Sequence, residues 1–282
     1  MRPETRALAI GEAVDAAWRR RHGYGRIEVP LSTVATLALI APAWNETDQA
    51  SAEIAAMSRE AFVAFARLQW DVFVNHRPDL VEPAWPFVAV WLGEQASDDE
   101  LLGAHEVARA ALGAGLLQLT ADPGTRRRVD VLGVVLTLLK SSKAAAAQGA
   151  YYTPAHVAEL LARMGGVERS DSVYEAAVGT GGLLRAAAEV LREHGRDPAE
   201  VAWTAVDIDP IAIAALAVNT ILWGLGHDVL LGVANVLTED WEEAARARRF
   251  ETRRLAADLR RHRTLLLTLG VTSRRAYAGV RT

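Results

Sequence analysis

The chain contains no cysteine and only two lysines, Lys140 and Lys143. Without thiols it can form neither disulfides nor thiolate metal sites, which points to a cytoplasmic location. Basic charge is left almost wholly to arginine, a bias of composition more than a binding device. Its longest apolar stretch, near residues 34–43, is far below the ~20 residues a membrane-spanning helix needs. Glu4 and Glu12 give the N-terminus the wrong form for a signal peptide. Seven histidines are scattered without ligand spacing, so no metal is expected; His105, His156, His194 and His227 read as surface or helix-end residues. A G-x-x-x-x-G-K-[ST] loop is also missing, which excludes a P-loop.

What remains is ample for folding. At 282 residues and 30.5 kDa, with 51% hydrophobic residues, the chain can build cores for two ordinary domains. Its net charge of -4 is a poor match to DNA for the chain as a whole. From Trp241 onward, however, eleven arginines face four acids, so this stretch alone carries +7. Trp241, Ala244, Ala245, Phe250, Leu255 and Leu259 recur there among charges, which predicts one helix over 239–263, either a solvated amphipathic helix or an arm contacting phosphates.

Helical periodicity dominates the first 125 residues, with helices expected over 7–21, 31–39, 48–74 and 98–119. Trp70, Trp85, Trp91, Phe62, Phe65 and Phe87 read as the core of this bundle. A further helix is expected over 127–139.

A different pattern begins at Val173-Tyr-Glu175-Ala-Ala-Val-Gly179-Thr180-Gly181-Gly182, which reads as a buried strand, a glycine turn and then a helix. Glycines let the backbone approach a ligand without a Cβ in the way, and the helix start offers unpaired N–H groups. Asp207 ends the next apolar run, 201–206, and at that tip an acid can accept from both ribose hydroxyls. Leu184 stands where a dinucleotide fingerprint needs a small residue, which disfavours NAD and FAD. An adenosine ligand without a pyrophosphate is the class left. Asp209-Pro210 opens a helix over 211–223, with Asp209 the better N-cap, freeing Asp207 for the ribose. Asn219, on that helix, reads as structural. Thr153-Pro154 opens another helix, Thr153 as N-cap, whose apolar run is Val157, Leu160, Leu161 and Met164, ended by Gly165-Gly166.

Four segments in order resemble the S-adenosylmethionine-dependent DNA adenine-N6 methyltransferases, most of all the modification subunits of type I restriction systems. Gly149-Ala-Tyr151-Tyr152-Thr153-Pro154 is similar to the family's F/Y-Y-T-P segment, and residues 175–184 are similar to its D-P-x-x-G-T-G-G-F-L loop. Asp207-Ile208-Asp209-Pro210 with Asn219 resembles the second motif, and Gly232-Val-Ala-Asn235-Val-Leu237 the G-D-x-L motif. The resemblance implies an α/β fold: a Rossmann-like methyltransferase sheet over 126–238, incomplete in this chain, between an α-helical domain over 1–125 and a basic helical tail over 239–282. It implies S-adenosyl-L-methionine as cofactor, held by Tyr151, Tyr152, Thr153, Pro154, Glu175, Gly179, Thr180, Gly181, Asp207, Ile208 and Asn235. In that assignment the tyrosine turn lies over the methionine group, Glu175 serves the ammonium through water, and Asn235 reads an adenine edge.

One element of that family is lacking. Its [DNS]-P-P-[YF] tetrapeptide, which accepts the target amine's two hydrogens and stacks on the extruded base, occurs nowhere in the chain. Two segments are the places to look for a substitute: Glu82-Pro83-Ala-Trp85-Pro86-Phe87, and Thr264–Leu269 as a fourth strand followed by Ser273. Neither has the adjacent prolines, so no catalytic residue is assigned. The expectation is a modification-subunit-like methyltransferase that is truncated, split or degenerate. The alternatives are a non-catalytic cofactor-binding regulatory scaffold, or a methyltransferase for a small molecule or protein. With only three strands foreseen, the first would have an open edge, to be covered by the tail, the N-terminal helices, a second copy or a partner. Expected partners are DNA, through the basic tail or another subunit, and either a homo-oligomer or a complementing methyltransferase or specificity subunit, with no membrane.

Overall fold

The computed structural model describes residues 2–278 apart from Tyr24, Ala41, Glu94, Gln95 and 141–152; at Trp44 and over 262–278 it describes the backbone alone. Helix α1 (Pro3–His22) starts with a proline at its first position, where no N–H is needed. It buries Ala7, Ile10, Val14, Ala17 and Trp18, one stripe of a 3.6-residue period, against α6 (Asp98–Gly113) and α9 (Val131–Leu139). Helix α2 (Glu28–Ala38) is buried along nearly its whole length between α5 (Trp85–Leu92), α6 and α9. A helix enclosed on every side must satisfy its polar groups internally. Thr36 donates to the Ser32 carbonyl at 2.8 Å and accepts the Trp70 indole N–H at 2.8 Å, while Ser32 accepts from Trp91 at 2.5 Å.

Side-chain caps and left-handed glycines divide helices that periodicity alone runs together. The helix expected over 48–74 is two, α3 (Thr47–Ala55) and α4 (Arg59–His76), because the Ser58 hydroxyl accepts from the Ala61 N–H at 3.2 Å and restarts the chain. That expected over 98–119 breaks at Gly115 (φ 90°) into α6 and α7 (Leu116–Thr120). That over 127–139 becomes α8 (Pro123–Arg127) and α9, which Asp130 caps. Trp85 is half exposed at the start of α5, unlike Trp70 and Trp91, and so is not core. His105 is half-buried, and its ring packs on Phe62 with centroids 5.5 Å apart.

The sheet has three parallel strands in the order β1 (Ser172–Glu175), β2 (Ala202–Asp207), β3 (Val229–Val233). Glu175 pairs with Ala205, and Asp207 with Val233. The crossovers are α11 (Gly182–Glu193) and α12 (Pro210–Leu222), with α10 (Ala155–Met164) packed on α11. Alternation sorts each strand's side chains. Trp203, Ala205, Val229 and Leu231 join one core that runs from Ala7 to Leu231. It is continuous because α12 lies between the strands and helices α2, α5 and α9. Val206 and Leu230 face the other way, under Trp241 and Ala245 at the start of α13 (Glu242–Ala278). The Trp241 ring lies against Gly232, leaving no space for a Cβ there.

Three expectations are corrected here. Residues 264–269 are helical within α13 and form no fourth strand; leucine and arginine are good helix formers, and the helix begun at Glu242 continues through them. β1 is not a buried strand: among the described residues it pairs with β2 alone, and Tyr174 is 54% exposed. The apolar run of α10 does not face a core either; Ala158 and Ala162 are buried, whereas Leu160, Leu161 and Met164 are exposed.

Trp70 is fully buried, and its indole satisfies Thr36 inside the bundle. Trp70→Ala is expected to cost about 3–5 kcal/mol of unfolding free energy, read from urea denaturation, through the cavity and the lost bond together.

Candidate functional site

The tips of β1 and β2 lie side by side, and α11 and α12 start next to them. Between β1 and α11 the chain turns with Gly179 at φ 55° and Gly181 at φ 97°, conformations that side chains with a Cβ avoid. Hydrogen bonds fix this turn to the second strand. Val178 N–H donates to the Val206 carbonyl at 3.1 Å, and Gly179 N–H donates to Asp207 Oδ2 at 2.7 Å. The other Asp207 oxygen accepts from Asp209 N–H at 2.9 Å, and Asp209 in turn caps α12 by accepting from Ile211 N–H at 2.9 Å. Among the described residues no side chain caps α11.

A cavity of about 960 Å³ opens over these tips. The turn contributes residues 177–180, Gly182 and Leu183, and the end of β2 with the start of α12 contributes Asp207, Ile208, Asp209 and Pro210. Thr153 and the start of α10 form another wall. The far wall is helical: Glu4, Ala7 and Leu8 of α1, and Gly133, Val134, Thr137 and Leu138 of α9. Of the residues expected from sequence, Thr153, Gly179, Thr180, Asp207 and Ile208 line this space. Tyr151 and Tyr152 lie outside the described residues.

Pro154, Glu175, Gly181 and Asn235 are not on the cavity wall. Pro154 occupies the N-cap position of α10 expected for Thr153, and no side chain caps that helix. Glu175 turns its carboxylate to the Ala177 N–H at 3.3 Å. Gly181 faces down instead of toward the opening; a Cβ there would stand 2.5 Å from Leu216 Cδ1 and 2.9 Å from Trp223 Cζ3, so this glycine serves packing. Asn235 folds onto its own loop, where its carboxamide oxygen accepts from Leu237 N–H at 3.1 Å.

Two wall residues, Lys140 and Asp130, escaped the sequence reading. Lys140 reaches across from the end of α9 to Asp209 at 2.5 Å, with only 8% of its side chain exposed. Asp209 therefore both caps α12 and anchors the chain leaving the helical region. Asp130 is the second. It accepts from Gly133 N–H at 2.8 Å as the cap of α9, from the Thr180 hydroxyl at 2.5 Å and from the Asn219 amide at 2.9 Å. An acid three residues ahead of a helical N–H is a visible capping signal in sequence. Its reach to Thr180, fifty residues away, is not.

Burial pushes the Asp130 carboxyl above the usual carboxylate range, against the hydrogen bonds from Thr180, Gly133 and Asn219 that favour the anion. A raised value means that, above the ordinary carboxylate pKa, the folded state keeps a proton that the unfolded chain has released. Its contribution to stability therefore falls as pH rises through that window. Asp130→Asn cannot ionise, so the melting temperature of the variant minus that of the wild type should become more positive between pH 4 and pH 7. Scanning calorimetry across that range reads the trend, and a difference that moves the other way contradicts the burial argument.

Residues 129–252 match the family model described as N-6 DNA Methylase. Among solved structures, the chain is similar to the type I restriction-modification system methyltransferase subunit from Streptococcus thermophilus, at 16% identity and a TM-score of 0.45. That alignment covers 86% of this chain and 60% of the other, so the chain spans less than two thirds of its length. No curated protein matches the chain at a significant level. The strands, the glycine turn and the acid-tipped β2 all fall inside the segment that matches the N-6 DNA methylase model.

Proposed function

We propose that this chain is the S-adenosylmethionine-binding part of a DNA adenine-N6 methyltransferase of the modification-subunit kind, and that the group holding the target base lies outside this sequence. The observation that carries this reading is the bond from Gly179 N–H to Asp207, which brings the turn and the acid to one cavity wall at 2.7 Å. The residues present suit the cofactor. A carboxylate offers about four acceptor sites, and backbone N–H groups take two at Asp207, leaving capacity for ribose hydroxyls. Ile208, exposed at the strand tip, presents an apolar face suited to adenine. The uncapped start of α11 offers donors and a positive dipole end to a carboxylate.

In this assignment Thr153, Gly179, Thr180, Asp207 and Ile208 make the contacts, and Tyr151 and Tyr152, which lie outside the described residues, are proposed to attract the sulfonium, whose charge suits an aromatic face. Glu175 acts through water, and Pro154, Gly181 and Asn235 shape the backbone around the site. The cofactor supplies the methyl group; the chain binds and orients it.

Neither candidate for the missing base-holding motif suits the task. Glu82 is paired with Arg248 at 3.2 Å just before α5, and residues 264–273 run within α13. Among the described residues β1 pairs on one side only, and its other edge is the proposed place for a complementing chain to continue the sheet. The arginine-rich α13 is the proposed approach to DNA phosphates.

Titration calorimetry should show saturable binding of S-adenosylmethionine. Asp207→Asn keeps the size but loses the charge and an acceptor, which should weaken binding by about 1.5–2 kcal/mol, or ten- to thirtyfold. Absence of binding by the wild type sinks the reading of the site. Tritiated methyl transfer to adenine-rich duplex should be absent with this chain alone and appear when a polypeptide bearing an N-P-P-F or similar motif is supplied. Transfer by the chain alone removes the need for a partner, whereas binding without transfer in any combination favours a regulatory scaffold.

A further inference from the structure

Beneath the glycine turn lies a polar cluster of Asp130, Thr180 and Asn219, of which the ligand contacts assigned above use Thr180 alone. The Thr180 side chain is 2% exposed, and its hydroxyl donates to Asp130 Oδ2 at 2.5 Å. Asn219, fully buried in α12, spends both amide hydrogens here, one on Asp130 Oδ1 and one on the Thr180 carbonyl, each at 2.9 Å. The first turn of α9 is pressed onto the same spot. A Cβ on Gly133 would stand 2.6 Å from Thr180 Oγ1 and closer still to the Asp130 carboxylate, so only glycine allows this approach.

Capping α9 requires the bond from Gly133 N–H and nothing more. The bonds to Thr180 and Asn219 go beyond that need and bring a carboxylate into an enclosed place, which is costly unless each partner is held in register. Their common product is a fixed geometry at Thr180, the residue between the two left-handed glycines, held through its side chain by Asp130 and through its carbonyl by Asn219.

We infer that Asp130 is a positioning residue: acting through Thr180, it holds the 178–182 turn in the conformation that lines the cavity, and so couples α9 and the helical region to ligand binding. This rests on the reading of the cavity as a cofactor site. It makes no ligand contact of its own in this role. The helical region thereby does more than cover α12, since its last helix sets the shape of the binding turn.

The test uses the full chain and two readouts. In amide hydrogen exchange without ligand, Asp130→Ala and Thr180→Val should each speed exchange at residues 179–182 by tenfold or more, with β2 and β3 protection unchanged. In calorimetry with S-adenosylmethionine, Thr180→Val should bind at least tenfold more weakly than wild type, whereas Thr180→Ser, which keeps the hydroxyl, should stay within threefold. Asp130→Ala combined with Thr180→Val should be no weaker than the worse single variant, because both break one link. Asp130→Asn replaces Asp130→Ala if the latter does not fold, with the Thr180 pair deciding in either case. Unchanged exchange at 179–182 in both Asp130→Ala and Thr180→Val overturns the inference, as does equal affinity of the Ser and Val variants. If the wild type binds no S-adenosylmethionine, the cofactor reading fails, and hydrogen exchange alone still decides the role of Asp130.

Discussion

The Asp207 carboxylate is the joint on which the site depends. One of its oxygens holds the Gly179 N–H and the other the Asp209 N–H, so a single side chain ties the first crossover turn to the start of the second. Parallel strands place their carboxyl tips at one edge of a sheet, where the crevice of an α/β fold lies. That geometry alone sets the tips a strand spacing apart. The charged hydrogen bonds at Asp207 set the depth and direction of the turn, because such bonds are shorter and stronger than neutral ones.

A second set of ties joins the sheet to the helices before it. Lys140 grips Asp209 while Asp130 grips Thr180, so both sides of the cavity's strand-tip wall are fastened to the two ends of α9. α12 is consequently buried on both sides, by strands and by α2, α5 and α9, which explains how a helix with Asn219 and Thr220 as fully buried polar residues can be otherwise apolar. The helical region is thus structurally necessary to a sheet of only three strands, whose own core would be small.

The side that the helices leave uncovered is equally specific. Among the described residues β1 has a hydrogen-bonding partner on one flank only, Tyr174 is exposed on it, and α10 turns Leu160, Leu161 and Met164 outward nearby in the chain. On the other flank of the sheet, Trp241 and α13 close over β3. Apolar residues gathered on one helix face are a costly surface to leave in water unless something covers it.

Much of this architecture could be read from the amino-acid order. The three strands, both glycine-ended turns, the Asp209 cap and the juxtaposition of Gly179 with Asp207 follow from local rules: strand runs, left-handed glycines, capping acids. Helix breaks at Ser58 and Gly115 were missed because periodicity is a weaker signal than a cap or a φ near 90°. The helical state of 264–269 was missed because a short leucine run suits a strand or a helix equally, and its neighbours decide. Which of the motif residues face the cavity was not accessible at all. Glu175, Gly181 and Asn235 each have a nearer partner, a backbone N–H or a packed ring, and such competition is settled only once the chain is folded. Asp130 and Lys140 reached the site by the same route in reverse: the sequence by itself determined that strand tips and a glycine turn would make a crevice, while tertiary packing decided which distant side chains would wall it, because contacts across fifty or more residues depend on the docking of α9 and not on any local pattern.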